Sequence, residues 1–175
     1  MFISEHDQEE QPMLDAFVNK LKEGKQIGIL SEAGCPGIAD PGQKLVAIAH
    51  QHHAEVKPLV GPSSILLALM ASGLNGQQFQ FVGYLPIDHA ARIKALKDLE
   101  NESRKKNSTQ VFIETPYRNN QLLETILKTI SPSTMLCIAA NLTAPSEKIA
   151  TKKISEWKKQ VPDLHKQPVI FCLLA

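Results

Sequence analysis

Residues 26–42 read QIGILSEAGCPGIADPG, and this stretch decides the fold. It opens with a short apolar run, 26–31, that ends on a polar residue, the pattern of a buried strand. A loop follows in which Gly34, Gly37 and Gly42 permit close backbone approach while Pro36 and Pro41 stiffen the path. Asp40 and Pro41 suit the N-cap and first position of the next helix, which carries Leu45, Val46 and Ile48 inward and runs to about His50.

The rest of the chain repeats strand, loop and helix. Upstream, 12–23 reads as an amphipathic helix with Met13, Leu14, Phe17, Val18 and Leu21 on one face, closed by Gly24. Downstream, EVKPLV (55–60) is a strand, and GPSS (61–64) opens a helix so apolar that it is expected to be buried on most sides. FQFVGY (79–84) is a strand, and 88–105 a charged helix. TQVFIE (109–114) is the next strand, followed by a helix capped by Thr115, started by Pro116 and running to Ile130. MLCIAA (135–140), a short segment at 149–154 and QPVIFCLLA (167–175) complete the strands. Alternation of this kind predicts an α/β protein. Two small α/β domains are expected, 1–85 and 86–175, hinged near 85–87. Ligands of such sheets sit at loops after strand carboxyl ends, which selects 31–42, 61–64 and 114–118.

Composition narrows the class. The 175 residues are 43% hydrophobic and 21% charged, so disorder is excluded as the main state. Nothing approaches eighteen consecutive apolar residues, the least a membrane span requires. The acidic start, MFISEHDQEEQ, is unlike a secretory signal or a basic transit peptide. Cys35, Cys137 and Cys172 are far apart and make no metal spacing, as expected of reduced thiols in a cytoplasmic protein. Charge is uneven: residues 1–85 hold 5 Lys+Arg against 9 Asp+Glu, and residues 86–175 hold 14 against 9. The basic second half suits a polyanion, although scattered solvated charge reads the same way.

Each loop has a functional and a plain reading. The first suits a flat nucleoside ring held by main-chain amides, or is merely a tight turn; it matches neither a Walker loop nor GxGxxG. In GPSS, Ser63 and Ser64 bring hydroxyls and free amides to a helix start, where they either meet an anion or simply cap the helix. In the third, Glu114 ends an apolar strand, where a carboxylate is out of place unless it faces a cleft or takes a hydrogen bond. Arg118 either holds an anionic group or is an exposed helix residue. His50, His52 and His53 read as solvated residues at a helix end, with no partner at ligand spacing, so no metal is expected.

Taken together and in order, ILSEAGCPGIADPG, PLVGPSSILLALMASGL, GYLP, FIETPYRNNQLLETI and NLT (141–143) resemble the tetrapyrrole methylase superfamily of S-adenosylmethionine-dependent methyltransferases. The wording is most similar to the ribosomal RNA small subunit methyltransferase I branch, which methylates a ribose 2′-hydroxyl of 16S rRNA. The resemblance implies two α/β domains with S-adenosylmethionine in the cleft between them, a homodimer, and rRNA or the 30S subunit as partner. It implies donor contacts from Ala33, Gly34, Cys35, Ile38, Ser63, Ser64, Glu114 and Leu142. A ribose hydroxyl must lose its proton during transfer, which makes Glu114 and Glu32 the candidate bases. Tyr117 and Arg118 are the candidate substrate contacts.

The chain departs from the family in three places. The family opens with a strand and a Pro/Gly-rich loop that have no counterpart here, about fifty residues by the usual size of a βα unit with its connections. The first sheet is therefore expected to lack a core strand and to leave edges unpaired. The family's GTP-like turn reads GCP (34–36), and Ala144, Pro145 and Ser146 follow NLT. Two other readings remain open: a non-catalytic or truncated remnant that keeps the fold, and a methyltransferase acting on a small tetrapyrrole.

Overall fold

α1 (Glu10–Lys22) and α2 (Gln43–Gln51) bury one small core, Phe17 against Leu45 and Ala49, with Met13, Leu14, Leu21 and Ile48 around it. These are the faces that the 3.6-residue period selects. The computed structural model describes residues 10–31 and 35–175. Two compact units divide between Ser63 and Ser64. In the first, Gly24 closes α1 at φ 68°, its N–H donating to the Leu21 carbonyl at 2.9 Å, as a left-handed helix stop should.

Three expectations for this unit change. Asp40 does not cap α2: Gly42 occupies the N-cap at φ 129°, a backbone conformation that a side chain would strain. Neither 26–31 nor 55–60 forms a ladder among the described residues. Ile29 and Val56 pack against the α1–α2 core, yet Leu30, Leu59 and Val60 stand in solvent. A strand requires a neighbour for its N–H and C=O groups, and an apolar run alone does not supply one.

The second unit holds every ladder of the described residues. Its elements are α3 (Ser64–Ser72), β1 (Phe79–Tyr84), α4 (His89–Lys106), β2 (Thr109–Ile113), α5 (Asn119–Thr129), β3 (Met135–Ala140), β4 (Lys148–Lys153), α6 (Ile154–Trp157) and β5 (Val169–Leu174). The sheet order is β1-β2-β5-β3-β4; β1 and β2 run parallel, joined through α4, and the other pairs are antiparallel. The unit boundary thus lies ahead of the expected hinge at 85–87, because β1 pairs with β2 and α3 covers the sheet.

Alternation assigns each sheet residue to one face. Phe112, Phe171, Leu136, Ile138 and Leu173 meet Leu96 of α4, Leu122, Leu123 and Ile126 of α5, and Ile154 and Trp157 of α6. Phe112 and Phe171 are register partners whose rings stack 5.6 Å apart. Burying each contributes about 1.5–3 kcal/mol. The Trp157 indole N–H donates to the Leu136 carbonyl at 2.9 Å, so its buried polar end is satisfied. On the other face Val111, Cys137, Ala139, Ile170 and Cys172 lie under Ile65 and Ala68 of α3. α3 is not buried on most sides: Leu66 and Met70 face solvent. The register of β1 slips between Phe81 and Gly83, the latter at φ 71°, which marks a bulge. Val82 and Leu85 both reach the core under α4 and α5.

Candidate functional site

Of the first candidate loop, Glu32, Ala33 and Gly34 lie outside the described residues. The remainder turns tightly, with Gly37 at φ 79°, Ala39 at φ 55° and the Ile38 N–H donating to the Cys35 carbonyl at 3.1 Å. The Cys35 thiol donates to the carbonyls of Gly61 (3.7 Å) and Pro62 (3.6 Å). Two loops chosen separately from the sequence therefore touch, through Cys35, Gly61 and Pro62 of the first unit. Ile38 is exposed, Ser63 is buried, and Ser64 is the first residue of α3.

The third loop is built around one carboxylate. Glu114 directly follows β2 and is 4% exposed. Its Oε1 accepts from the Thr115 N–H (2.7 Å), Arg118 Nε (3.0 Å) and Arg118 Nη2 (2.7 Å). Its Oε2 is buried without a partner. The Arg118 guanidinium thus bonds to Glu114, whose charge it balances in place. The same contacts shift the start of α5. The Glu114 carboxylate takes the Thr115 N–H and the Thr115 carbonyl accepts from the Arg118 N–H at 2.9 Å, a separate turn. The helix then begins at Asn119 with Arg118 as N-cap; Thr115 is no cap and Pro116 is no first residue.

Asn119 was not among the sequence candidates. It is fully buried, its Nδ2 donates to the Gln167 carbonyl at 2.7 Å, and its Oδ1 has no partner. The sequence carried a signal for it: Asn119 stands on the buried stripe of Leu122, Leu123 and Ile126, where a polar side chain needs a reason. Gln167 in turn accepts at Oε1 from Asn141 Nδ2 at 2.9 Å, and the Asn141 N–H donates to the Pro168 carbonyl at 2.9 Å. Loop 114–119 is therefore tied through Gln167 to the loop after β3 that carries Leu142.

That second loop is strained. Asn141 has φ 53° and Thr143 φ 67°. Asn tolerates the left-handed region, but a β-branched residue there costs on the order of 1–3 kcal/mol. Leu142 lies between them, half-buried against the α3-side core. Tyr117 is 70% exposed, its ring edge-on to His165 with centroids 6.0 Å apart. His50, His52 and His53 are exposed at the end of α2, and no three His, Cys, Asp or Glu side chains among the described residues could share a metal ion.

A groove of about 620 Å³ is lined by Asn120, Leu123, Leu127, Lys158, Val161 and Asp163 among others. It includes no residue of the three loops. It lacks orphaned polar atoms, whereas Glu114 and Asn119 each hold one, so the loop cluster is the better candidate.

Comparison with known proteins agrees with the loop pattern. The sequence model described as Tetrapyrrole (Corrin/Porphyrin) Methylases matches residues 3–158. The ribosomal RNA small subunit methyltransferase I of Vibrio cholerae is 37% identical over 86% of this chain and 51% of its own length. That of Buchnera aphidicola is 33% identical over 99% of this chain and 61% of its own. The chain thus spans about half to three fifths of the length of such relatives. Among solved structures, the methyltransferase CobJ superposes with a TM-score of 0.60 at 18% identity, over 92% of this chain and 70% of that one. A Thermus thermophilus uroporphyrin-III C-methyltransferase complexed with S-adenosylhomocysteine gives 0.55 at 13%, over 99% and 75%. These two likenesses concern the fold.

Proposed function

The chain belongs to the family of tetrapyrrole (corrin/porphyrin) methylases, and from that membership we propose that it takes part in methyl transfer from S-adenosylmethionine to a ribose 2′-hydroxyl of small-subunit rRNA. The observation that carries the reading is the similarity of 31–37% to curated small-subunit rRNA methyltransferases along 71–99% of the chain. The paired loops at Cys35 and Gly61–Pro62, and the cluster at Glu114, fall on the motifs that carry the resemblance.

The residues present fit such a donor. A nucleoside brings hydroxyl and amine hydrogens, and the second unit keeps buried acceptors without donors at Glu114 and Asn119. Ala33, Gly34, Cys35, Ile38, Ser63, Ser64, Glu114 and Leu142 are the proposed donor contacts. When bound, S-adenosylmethionine supplies an electrophilic methyl group on a sulfonium. The chain's own task is alignment and removal of one proton. Cys35 holds its loop against 61–62, fixing the main-chain amides that would face a flat base. Arg118 fixes Glu114. A carboxylate, Glu32 or Glu114, takes the hydroxyl proton. Exposed Tyr117 stacks on a base, and the lysines of the second half meet phosphates, so RNA affinity falls as salt rises.

On the same reading the protein works in the cytoplasm as a homodimer. No helix among the described residues is long and apolar enough to cross a membrane. The test is transfer of a labelled methyl group to undermethylated 30S subunits, with a porphyrinogen as the competing acceptor. Label in 16S rRNA is the expected result. Label in the porphyrinogen alone, or in neither together with no heat on titrating donor, overturns the reading.

A further inference from the structure

Four buried side-chain atoms lack a partner among the described residues: Arg92 Nε, Gln110 Oε1, Glu114 Oε2 and Asn119 Oδ1. Two of them belong to one turn, 114–119, and both of these are acceptors. A buried acceptor without a donor costs about 1–3 kcal/mol, more when charged, so a finished core avoids it. Rotation does not cure either defect. Glu114 is held at Oε1 by three donors, and Asn119 is held at Nδ2 by the Gln167 carbonyl. In each residue the fixed atom dictates the free one, and the free one is an oxygen. Each such acceptor disfavours phosphate and carboxylate and suits a molecule that presents hydrogens.

We propose that Glu114 Oε2 and Asn119 Oδ1 receive hydroxyl or amine hydrogens of a bound nucleoside, so that Asn119 is a binding residue and Glu114 holds the ligand instead of taking the proton. The proposal rests on the donor reading above and deepens it. Oε1 is committed to three hydrogens and Arg118 balances the charge, which leaves Glu114 an acceptor of shared hydrogens and Glu32 the remaining candidate base.

The test is calorimetric titration of S-adenosylhomocysteine and 5′-methylthioadenosine into wild type, Glu114→Gln, Asn119→Ala and Asn120→Ala. Asn120 is the control, because it ties the same helix start to the same loop through Asp163 and the Leu164 N–H without touching either acceptor. Affinity for S-adenosylhomocysteine is expected to fall about tenfold or more in the first two variants and to stay within about threefold in the control. A loss shared by methylthioadenosine upholds the proposal and assigns the hydrogens to ribose or adenine; a loss confined to S-adenosylhomocysteine assigns them to the ammonium group, outside the nucleoside, and overturns it. Equal affinities throughout, or a fall in Asn120→Ala as large as the others, overturn the proposal. If Glu114→Gln does not fold, Asn119→Ala decides alone. If wild type binds neither compound, the donor reading fails, and a crystal structure of the free chain then judges the acceptors. Oxygens open to the loop uphold them; oxygens paired with protein donors overturn them.

Discussion

β3 and β5 on one side, and residues 55–60 on the other, are six-residue segments whose sequence reads as strand, with opposite fates. Cys137, Ile138, Phe171 and Cys172 of the former are buried between helices, with hydrogen-bonded strands on both flanks. In the latter Leu59 is 89% exposed and Val60 fully so, and no ladder forms among the described residues. The difference teaches that hydropathy nominates a strand and a neighbouring backbone elects it. Pro58 adds to the contrast, since it removes one donor from the run.

Amide hydrogen exchange is the strongest challenge to this contrast. The β3 and β5 amides should exchange about 10⁴-fold or more slower than those of 55–60, which are expected near the unstructured rate. Comparable protection in the two regions would erase the distinction. Thiol alkylation sharpens it next. Cys137 and Cys172 are buried register partners across β3 and β5, and the hydrogen bond that the Cys172 thiol donates to Cys137, together with burial, pushes the Cys172 thiol up. Half-buried Cys35 should react with iodoacetamide at least about a hundredfold faster than either, as read by mass spectrometry of the native chain.

Truncation in each region gives the next contrast. Phe171→Ala should cost about 3–5 kcal/mol in urea unfolding, while Leu59→Ala should change stability by less than about 0.5 kcal/mol. A similar loss at Leu59 would mean that the run is covered in solution. Between these lies Glu100, whose buried carboxylate accepts from the Ser131 N–H at 3.0 Å and from the Thr134 hydroxyl; Glu100→Ala should cost about 1–3 kcal/mol by the same measurement.

The smallest effect is a titration. Asp163 is held below the usual carboxylate range by a hydrogen bond from Asn120 and another from the His165 N–H. Its folded value is lowered, so its contribution is complete above the unfolded value and is lost as pH falls through the folded one. Asn120→Ala should move the Asp163 carboxyl resonance titration upward, and an unmoved midpoint would show that the bond is not made in solution.

Much of the second unit was legible because its cues agree. Five segments read as strands became β1 to β5 within a residue or two, and Asp88 caps α4 by accepting from the Ala91 N–H. What escaped was decided by atoms distant in sequence or by competition for one N–H. The Gly42 conformation displaced Asp40 as cap, and the Glu114 carboxylate moved the start of α5 to Asn119. At the candidate site Glu114 stood out as a charge ending an apolar strand. Asn119 showed only as a polar residue on an apolar stripe, and Asn141 and Gln167 did not show at all, because the bonds that join the three span 48 and 26 positions and appear only in three dimensions.

The slip at Gly83 has a further effect. Val82 and Leu85 are separated by an odd number of positions, which in an uninterrupted strand would turn their side chains to opposite faces. The extra residue lets both enter one layer. Deleting that extra residue would leave Gly83 and Tyr84 opposite Phe112 and Ile113, so Leu85 would keep its side and only the Val82 side chain would be lost from the layer. Losing the bulge at constant chain length would instead turn everything from Tyr84 to the start of α4 to the opposite face.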